Sequence, residues 1–458
     1  MKYLIACSLL ISGAFLASGA GVTIPVETYQ MKNGLRVILS PDNAVPVVAV
    51  YLIYNVGARS EEKGRTGFAH LFEHMMFEGS ANAPKGTHFG AVESNGGTLN
   101  GSTHPDFTDF YDVLPSNKLA TALWLESDRM RSLSINEENL KNQKEAVKQE
   151  RRLSFDNQPY QTAIVDVWPT LIFRNWQSSH SLIGSFEDLN SSSVADVARF
   201  FKTYYAPNNA ALAIVGDIQG PEAKKLIESY FGDIPSQPAP KRPDLTEPPG
   251  FQARTQVYKD AMARVPGVVI GYLGPKRRSP DYYALNMIDA ILTAGDSARI
   301  RLDLVKGKQS VIQYEANLNW PFGNVLDYRD PEPYALFLLY NPNFTGKQIV
   351  DQVQEEIARL ENEPIDAKDL ERVKTQIRAS AITGLQGSLS RARQLAQYAI
   401  TDGDPALINS ELDKMLAVTP AQIQAAAKKY LTPDKRAVLE IQPAANAQPG
   451  AAGPKGDR

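Results

Sequence analysis

The feature that most constrains the fold is that part of this chain is written twice. Residues 193–215 and 419–441 align at a constant offset of 226 residues, with tyrosine, proline and alanine recurring at matching places. Each segment opens with a capping box, built on Ser193 in the first copy and Thr419 in the second. Each then predicts a helix, a turn through proline and an apolar strand. Matching elements in matching order indicate an internal duplication.

A second pair of segments places the boundary between the copies. Residues 134–150 resemble residues 364–380 at an offset of 230 residues. Between the copies, residues 234–250 contain six prolines in seventeen positions, a composition that cannot hold a helix or a central strand. The predicted parts are a first domain, a proline-rich linker and a second domain of similar fold: residues 25–235, 236–250 and 251–443.

Strand patterns precede helix patterns in each copy, which predicts an α+β fold rather than alternating βαβ units. A hairpin is expected around Asn33-Gly34, and a strand over residues 47–55. Helices are expected at about 114–130 and 137–152. We therefore predict two homologous α+β domains, each an antiparallel-rich sheet packed with helices.

The sequence patterns at the two ends of the chain do not predict a folded domain. Residues 1–20 have a basic start, an apolar stretch and a small-residue cleavage site, which predicts a secretory signal peptide. Cys7, the single cysteine of the sequence, leaves with that signal, so no disulfide is expected in the mature chain. Residues 444–458 predict a disordered tail.

A second constraint is chemical: residues 70–74 read His-Leu-Phe-Glu-His, the inverse of a common zinc motif. The neighbouring residues are mostly apolar and contain no helix breaker until Gly79, which predicts a helix. Residues four apart share a helix face, so His70 and His74 can direct ring nitrogens at one metal ion. Glu73 lies beside them, where its carboxylate can take a proton from zinc-activated water. The pattern predicts a hydrolytic zinc site with Glu73 as the catalytic base.

A catalytic zinc site has three protein ligands, so one more donor is required. By residue type, the candidates are His88, His104, His180 and a carboxylate on the predicted helix at 137–152. Spacing alone does not choose among them.

These motifs resemble the pitrilysin/insulinase family of zinc peptidases, in its short two-repeat type, similar to mitochondrial processing peptidase subunits. In that family a glutamate supplies the third ligand, and the matching position, 76 residues after His74, is Glu150. The resemblance covers nearly the whole mature chain. It implies an active-site edge strand, with Thr98 and Asn100 as substrate contacts. It also implies one zinc ion per chain, held by the first domain alone, since no histidine follows His180.

Two positions depart from the family pattern. A glutamate that many members carry beside the site is Gln143 here, which can still support the site by hydrogen bonding. The second domain usually supplies an arginine and a tyrosine to the substrate. Tyr314 matches the tyrosine, but Gly307 stands at the arginine position, and the flanking Lys306 and Lys308 lack the arginine fork. The resemblance therefore implies a second pitrilysin-like chain that supplies the pair.

Together these observations predict a secreted or periplasmic zinc-dependent endopeptidase that cleaves extended or unfolded peptides. A heterodimer is expected, with a homodimer as the alternative. The other class of function is a non-catalytic scaffold or peptide-holding subunit of a hetero-oligomer. The formal net charge of −3 offers no footprint for nucleic acid, and no membrane association is expected after signal cleavage.

Overall fold

The computed structural model describes residues 23–323, 326–329 and 332–444. The predicted signal peptide, residues 1–20, lies outside the described residues, as does the predicted tail apart from Ala444.

The described strands fall into two sheets, one in each half of the chain. The first half contains β1 (Glu27–Gln30), β2 (Arg36–Pro41), β3 (Val47–Tyr54), β4 (Thr98–Thr103), β5 (Thr108–Pro115) and β6 (Ala210–Gly216). The second half contains β7 (Arg254–Asp260), β8 (Gly267–Leu273), β9 (Val311–Leu318), β10 (Pro333–Tyr340) and β11 (Ala437–Pro443).

The helices of the first half precede and follow its central strands. They are α1 (Phe68–Met75), α2 (Thr87–Glu93), α3 (Leu119–Ser132), α4 (Glu137–Arg151), α5 (Trp168–Ile172), α6 (Trp176–Ser179), α7 (Phe186–Ser191), α8 (Val194–Tyr204) and α9 (Gly220–Phe231). Those of the second half are α10 (Pro280–Thr293), α11 (Gly346–Asn362), α12 (Ala367–Gly384), α13 (Ser388–Gln397), α14 (Glu411–Leu416) and α15 (Pro420–Tyr430).

Apart from β1, which has no counterpart among the described strands of the second sheet, the two sheets share one topology. The first has the order β1-β2-β6-β3-β5-β4 and the second β7-β11-β8-β10-β9. In each, one parallel pair, β2 with β6 or β7 with β11, is followed by antiparallel pairs out to the edge strand. Both capping boxes form, at the starts of α8 and α15. The prediction of two similar α+β halves with antiparallel-rich sheets is confirmed.

Predictions of single elements hold where they depend on neighbouring residues. The hairpin forms between β1 and β2, with Gly34 at a φ of 88° in the turn. The helix expected from residue 114 begins later, at Leu119. Residues up to Pro115 belong instead to β5, which pairs with β3 along its whole length, from Thr108 opposite Tyr54 to Pro115 opposite Val47. A full set of cross-strand hydrogen bonds thus outweighs helical patterning at this point.

Each half has its own apolar core, but each also covers part of the other. Residues 236–250 form no helix or strand. Helix α13, from the second half, packs on β3 and β6 of the first sheet. In return, Trp168 of α5 lies against the second sheet, where a Cβ on Gly271 would come within 2.5 Å of its ring. The halves are therefore interlocked by packing as well as joined by the chain.

Candidate metal centre

Helix α1 carries the histidine pair, and its sequence explains how it sits. Its apolar residues, among them Phe72 and Met75, are buried in the first core. The polar stripe of His70, Glu73 and His74 therefore faces out of that core, toward α4 and β4.

Helix α4 packs against α1 and brings Glu150 to the pair. Its Oε2 lies 3.2 Å from Nε2 of His74 and 3.6 Å from Nε2 of His70. The two imidazole rings are nearly perpendicular, at 84°, with centroids 4.8 Å apart. One donor atom from each of these side chains falls within 4.8 Å of the others, close enough to share one metal ion.

The protonation states favour a cation at this position. Burial lowers the pKa of His70 to about 4, so its ring is neutral and keeps a lone pair for a metal. Burial opposes the ionisation of Glu150, but its hydrogen bond to His74 and the charges of both histidines hold its pKa below the usual value. Burial opposes a charge on His74, but its hydrogen bond to Glu150 and the charge of that carboxylate raise its pKa, so a metal ion would have to displace a proton from this ring. With that proton gone, two imidazoles and one carboxylate form a donor set that suits zinc.

A relay behind His74 orients its ring. Nδ1 of His74 lies 3.2 Å from Oε1 of Gln143, whose Nε2 donates to Oε1 of Glu78 at 2.7 Å. Lys85 donates to the other oxygen of Glu78 at 2.6 Å. Because the Gln143 amide donates to Glu78, its oxygen is left to accept from Nδ1–H, so Nε2 of His74 is the ring nitrogen that faces Glu150 and that a metal would take. Gln143 thus lies where it was expected. Glu78 was missed, although it follows His74 by four residues on the same chain segment.

Glu73 is held by the edge strand β4. The hydroxyl of Thr103 donates to Oε2 of Glu73 at 2.7 Å. Burial raises the pKa of Glu73, and this hydrogen bond opposes the rise. Gly101 lets the strand pass close above, since a Cβ there would lie 3.2 Å from Cγ of Glu73. Neither Thr103 nor Gly101 was among the predicted site residues, because their roles depend on the strand lying over the helix.

The predicted substrate contacts lie on the edge strands. Thr98 and Asn100 are exposed on β4, and Asn100 lines an open cleft of about 390 Å³ together with Glu73, His74 and Phe77. Tyr314 lies on β9, the edge strand of the other sheet, and its hydroxyl donates to the carbonyl of Thr293 at 3.1 Å. The structure therefore brings Asn100, but not Tyr314, together with the cleft beside the histidines.

The other candidates for the third ligand are engaged elsewhere. His88 lies 3.1 Å from Asp112, His104 lies 3.1 Å from Asp109, and His180 lies 3.0 Å from Glu61.

His88 belongs to a second group in the described residues with metal-like spacing, together with Asp112 and Glu126. The guanidinium of Arg129 already supplies a positive charge to this group, because its Nε–H donates to Glu126 at 3.0 Å.

The second half retains the outline of the site without its ligands. Helix α10 follows β8 as α1 follows β3, and the chain after each helix reaches a glycine with positive φ, Gly295 or Gly79. Counted back from that glycine, the positions of the His-Glu-His stripe hold Asn286, Asp289 and Ala290. Neither Asn286 nor Ala290, at the positions of the two histidines, carries an imidazole, so α10 lacks the metal-binding pattern of α1.

The fold and the site define a two-repeat α+β protein whose first repeat bears an inverted metallopeptidase motif. The chain belongs to peptidase family M16, the insulinase family. The family described as "Insulinase (Peptidase family M16)" matches residues 36–185, and "Peptidase M16 inactive domain" matches residues 191–377.

Individual proteins extend this likeness over most of the chain. The zinc protease PqqE of Helicobacter pylori is 27% identical over 384 residues, covering 82% of this chain and 83% of that protein. The crystal structure of a protease from Helicobacter pylori matches with a TM-score of 0.85 at 24% identity, over 92% of this chain and 100% of that one. The periplasmic protease PqqL from Escherichia coli matches with a TM-score of 0.73 at 18% identity, over 94% of this chain but 50% of its own.

Within residues 23–323, 326–329 and 332–444, no helix is both long enough and apolar enough to cross a membrane.

Proposed function

We propose that this chain is a zinc-dependent endopeptidase in which His70, His74 and Glu150 hold one zinc ion. The observation that carries the proposal is the meeting of three donor atoms within 4.8 Å on α1 and α4, directly beside Glu73. When bound, zinc would supply a Lewis acid for the peptide carbonyl and would lower the pKa of water.

Glu73 is the residue that moves protons. Its Oε2 is occupied by the Thr103 hydroxyl, which leaves Oε1 to accept a proton from the attacking water. The same carboxyl then passes that proton to the leaving amine. Burial, which raises the pKa of Glu73, makes it a stronger base than an exposed glutamate and so suits it to this cycle.

The substrate binds as an extended strand along β4. In the described part of the first sheet β4 is the outermost strand, with β5 on one side, so its other side can pair with a peptide backbone. Strand addition reads the backbone more than the side chains, so selectivity should be loose and should favour extended or unfolded peptides. Thr98 and Asn100, exposed on this strand, are proposed substrate contacts.

The active form is proposed to be a dimer with a second chain of the same family. The chain aligns with half the length of PqqL, so two chains of this size would together match one PqqL chain. Gly307 replaces the arginine of the usual pair, and Tyr314 is engaged with Thr293, so a partner that supplies both groups would complete the site. A heterodimer is the proposed form and a homodimer the alternative. Secretion or export to the periplasm is proposed from the signal-like residues 1–20.

The test compares three substitutions at glutamates on α1 and α4. Glu73→Gln should abolish peptide hydrolysis, by roughly a thousandfold or more, and leave zinc stoichiometry intact, because Glu73 moves protons and does not ligate. Glu150→Ala should lose zinc, since two histidines alone make a weak site. Glu145→Gln is the matched control, because Glu145 is exposed on the same helix and pairs only with Lys148 among the described contacts.

Metal analysis and cleavage of an unstructured peptide give the two readouts, with the copurifying partner added where one is found. Loss of zinc from Glu73→Gln as complete as from His70→Ala would contradict the assigned roles. An unaltered chain without stoichiometric zinc would instead support the scaffold function.

A further inference from the structure

Residues 180–190, here called the strap, have no part in the proposed chemistry, yet they contact both helices that carry the metal-binding residues. At one end the strap reaches the start of α1, and at the other it reaches the last turns of α4. His70 and Glu150 lie 80 residues apart in sequence, so only tertiary contacts can set the distance between their helices.

The first contact supplies the N-terminal cap that α1 lacks. The helix has no side-chain cap of its own and no acidic residue in its first turn. Glu61 provides a carboxylate from outside, accepting from the backbone N–H of Gly67 at 2.9 Å and of Ala69 at 2.8 Å. A buried carboxylate at this position interacts favourably with the positive end of the helix dipole.

His180, the first residue of the strap, holds that carboxylate in place. Its Nε2 lies 3.0 Å from Oε2 of Glu61, and its Nδ1 lies 3.0 Å from the carbonyl of Trp176. The ring also stacks on Trp176 with a centroid distance of 4.3 Å. Burial opposes a charge on His180, but the hydrogen bond and charge of Glu61 outweigh burial and raise its pKa. Both ring nitrogens face acceptors, so His180 acts as a double donor.

Two glycines allow the strap to lie directly on the start of α1. Gly67 and Gly184 have φ values of 81° and 77°, and a Cβ on Gly184 would come within 2.4 Å of the carbonyl oxygen of Thr66. Further along the strap, Asp188 accepts from the backbone N–H of Thr66 at 3.0 Å. The backbones thus touch with no side chain between them.

The opposite side of the strap is fastened to α4. Arg151, the residue after Glu150, donates from one nitrogen to the carbonyl of Gly184 at 2.6 Å. One and two turns earlier, Lys148 donates to the Asn190 side chain at 2.9 Å and Lys144 to its carbonyl at 2.8 Å. Gly184 therefore contacts the N-cap of α1 and the last residue of α4 at the same time.

We propose that the strap is a positioning device that sets α4 against α1, so that Glu150 meets His70 and His74 in ligand geometry before the metal arrives. This inference rests on the proposed function. It identifies Glu61, His180 and Gly184 as positioning residues, which act through the helices and touch neither metal nor substrate. A site organised in advance binds its metal more tightly than one that must assemble on binding.

The test measures zinc affinity of the purified full chain by competition with a chelator, and the visible absorption of the cobalt(II)-substituted protein. Gly184→Ala should weaken zinc binding roughly tenfold to a hundredfold, the range found when support of metal ligands is lost, and should alter the cobalt spectrum. His180→Gln, which can still donate to Glu61 but not also to Trp176, should give a smaller loss in the same direction and guards against misfolding of the glycine variant.

Asn33→Ala is the matched control. Asn33 donates to two backbone carbonyls at the end of α9 in the same half of the chain, away from α1 and α4, so it should lower the melting temperature without changing zinc affinity. If Gly184→Ala and His180→Gln lower only the melting temperature and bind zinc like the unaltered chain, the strap is merely structural and the inference is wrong. If the unaltered chain itself fails to bind zinc, the proposed function is rejected first.

Discussion

The edge strand passes close to the catalytic helix at Gly101, and substituting this glycine tests whether β4 positions Glu73. A Cβ built on Gly101 lies 2.9 Å from Cδ1 of Phe110 and 3.2 Å from Cγ of Glu73. Carbon atoms are at their best separation at about 3.5–4.0 Å, so Gly101→Ala forces some of these groups apart. Phe110 is completely buried and cannot retreat, so the strand or Glu73 must move.

The size of the effect follows from that geometry. Restoring ordinary contact requires a displacement of several tenths of an ångström to about 1 Å, and misplacing a reacting group by 1 Å can cost about a hundredfold in rate. We expect kcat to fall roughly tenfold to a hundredfold, which is about 1.4–2.7 kcal/mol of transition-state stabilisation. Overpacking should also lower the free energy of unfolding by about 1–3 kcal/mol. Zinc content should not change, because the three atoms nearest to the new Cβ belong to Phe110 and Glu73 and not to the proposed ligands.

The assay is peptide hydrolysis with kcat and KM measured separately, alongside metal analysis and thermal unfolding. Gly90→Ala is the control, because Gly90 lies in α2 with no atom within 4 Å of an added Cβ. Alanine there should be neutral or stabilise the helix by about 0.5–1 kcal/mol. Unchanged kcat in Gly101→Ala would refute the view that β4 holds Glu73 in place.

Three further predictions concern Thr103, Asp289 and the partner chain. Thr103→Val should lower kcat and retain zinc, because it removes the hydroxyl that donates to Glu73 while keeping the side-chain shape; an equal kcat in steady-state assays would show that this hydrogen bond is dispensable. Burial raises the pKa of Asp289 to about 7, well above the ordinary value of an aspartate, so its contribution to stability is complete below about pH 4 and is lost as the pH rises through 7. We therefore expect the difference in melting temperature between Asp289→Asn and the unaltered chain to shift in favour of the variant between pH 5 and pH 8. Parallel pH profiles for the two proteins would contradict this. Because the missing arginine grip is worth about 1.5–3 kcal/mol, the zinc-loaded chain alone should cleave peptides poorly. Brisk turnover that follows homodimer formation across a dilution series would exclude the requirement for a different partner chain.

Local patterns in the sequence were sufficient for the features that depend on near neighbours. The placement of His70, Glu73 and His74 on one face of a helix follows from residues three and four apart lying together. The capping boxes at Ser193 and Thr419 are likewise made within four residues, so the duplication could be read without a structure. The resemblance to a family directed attention to Glu150, and the structure places it beside both histidines.

Contacts between distant segments decided the rest. Spacing could not select Glu150 over His88, His104 or His180, because the choice depends on α4 packing against α1 and on carboxylates that occupy the other histidines. The hydroxyl of Thr103 reaches Glu73 only because β4 crosses the helix, and the strap acts only because it touches two helices at once. A sequence specifies such contacts through the whole packed core, so they are visible only when the tertiary structure has brought the segments together.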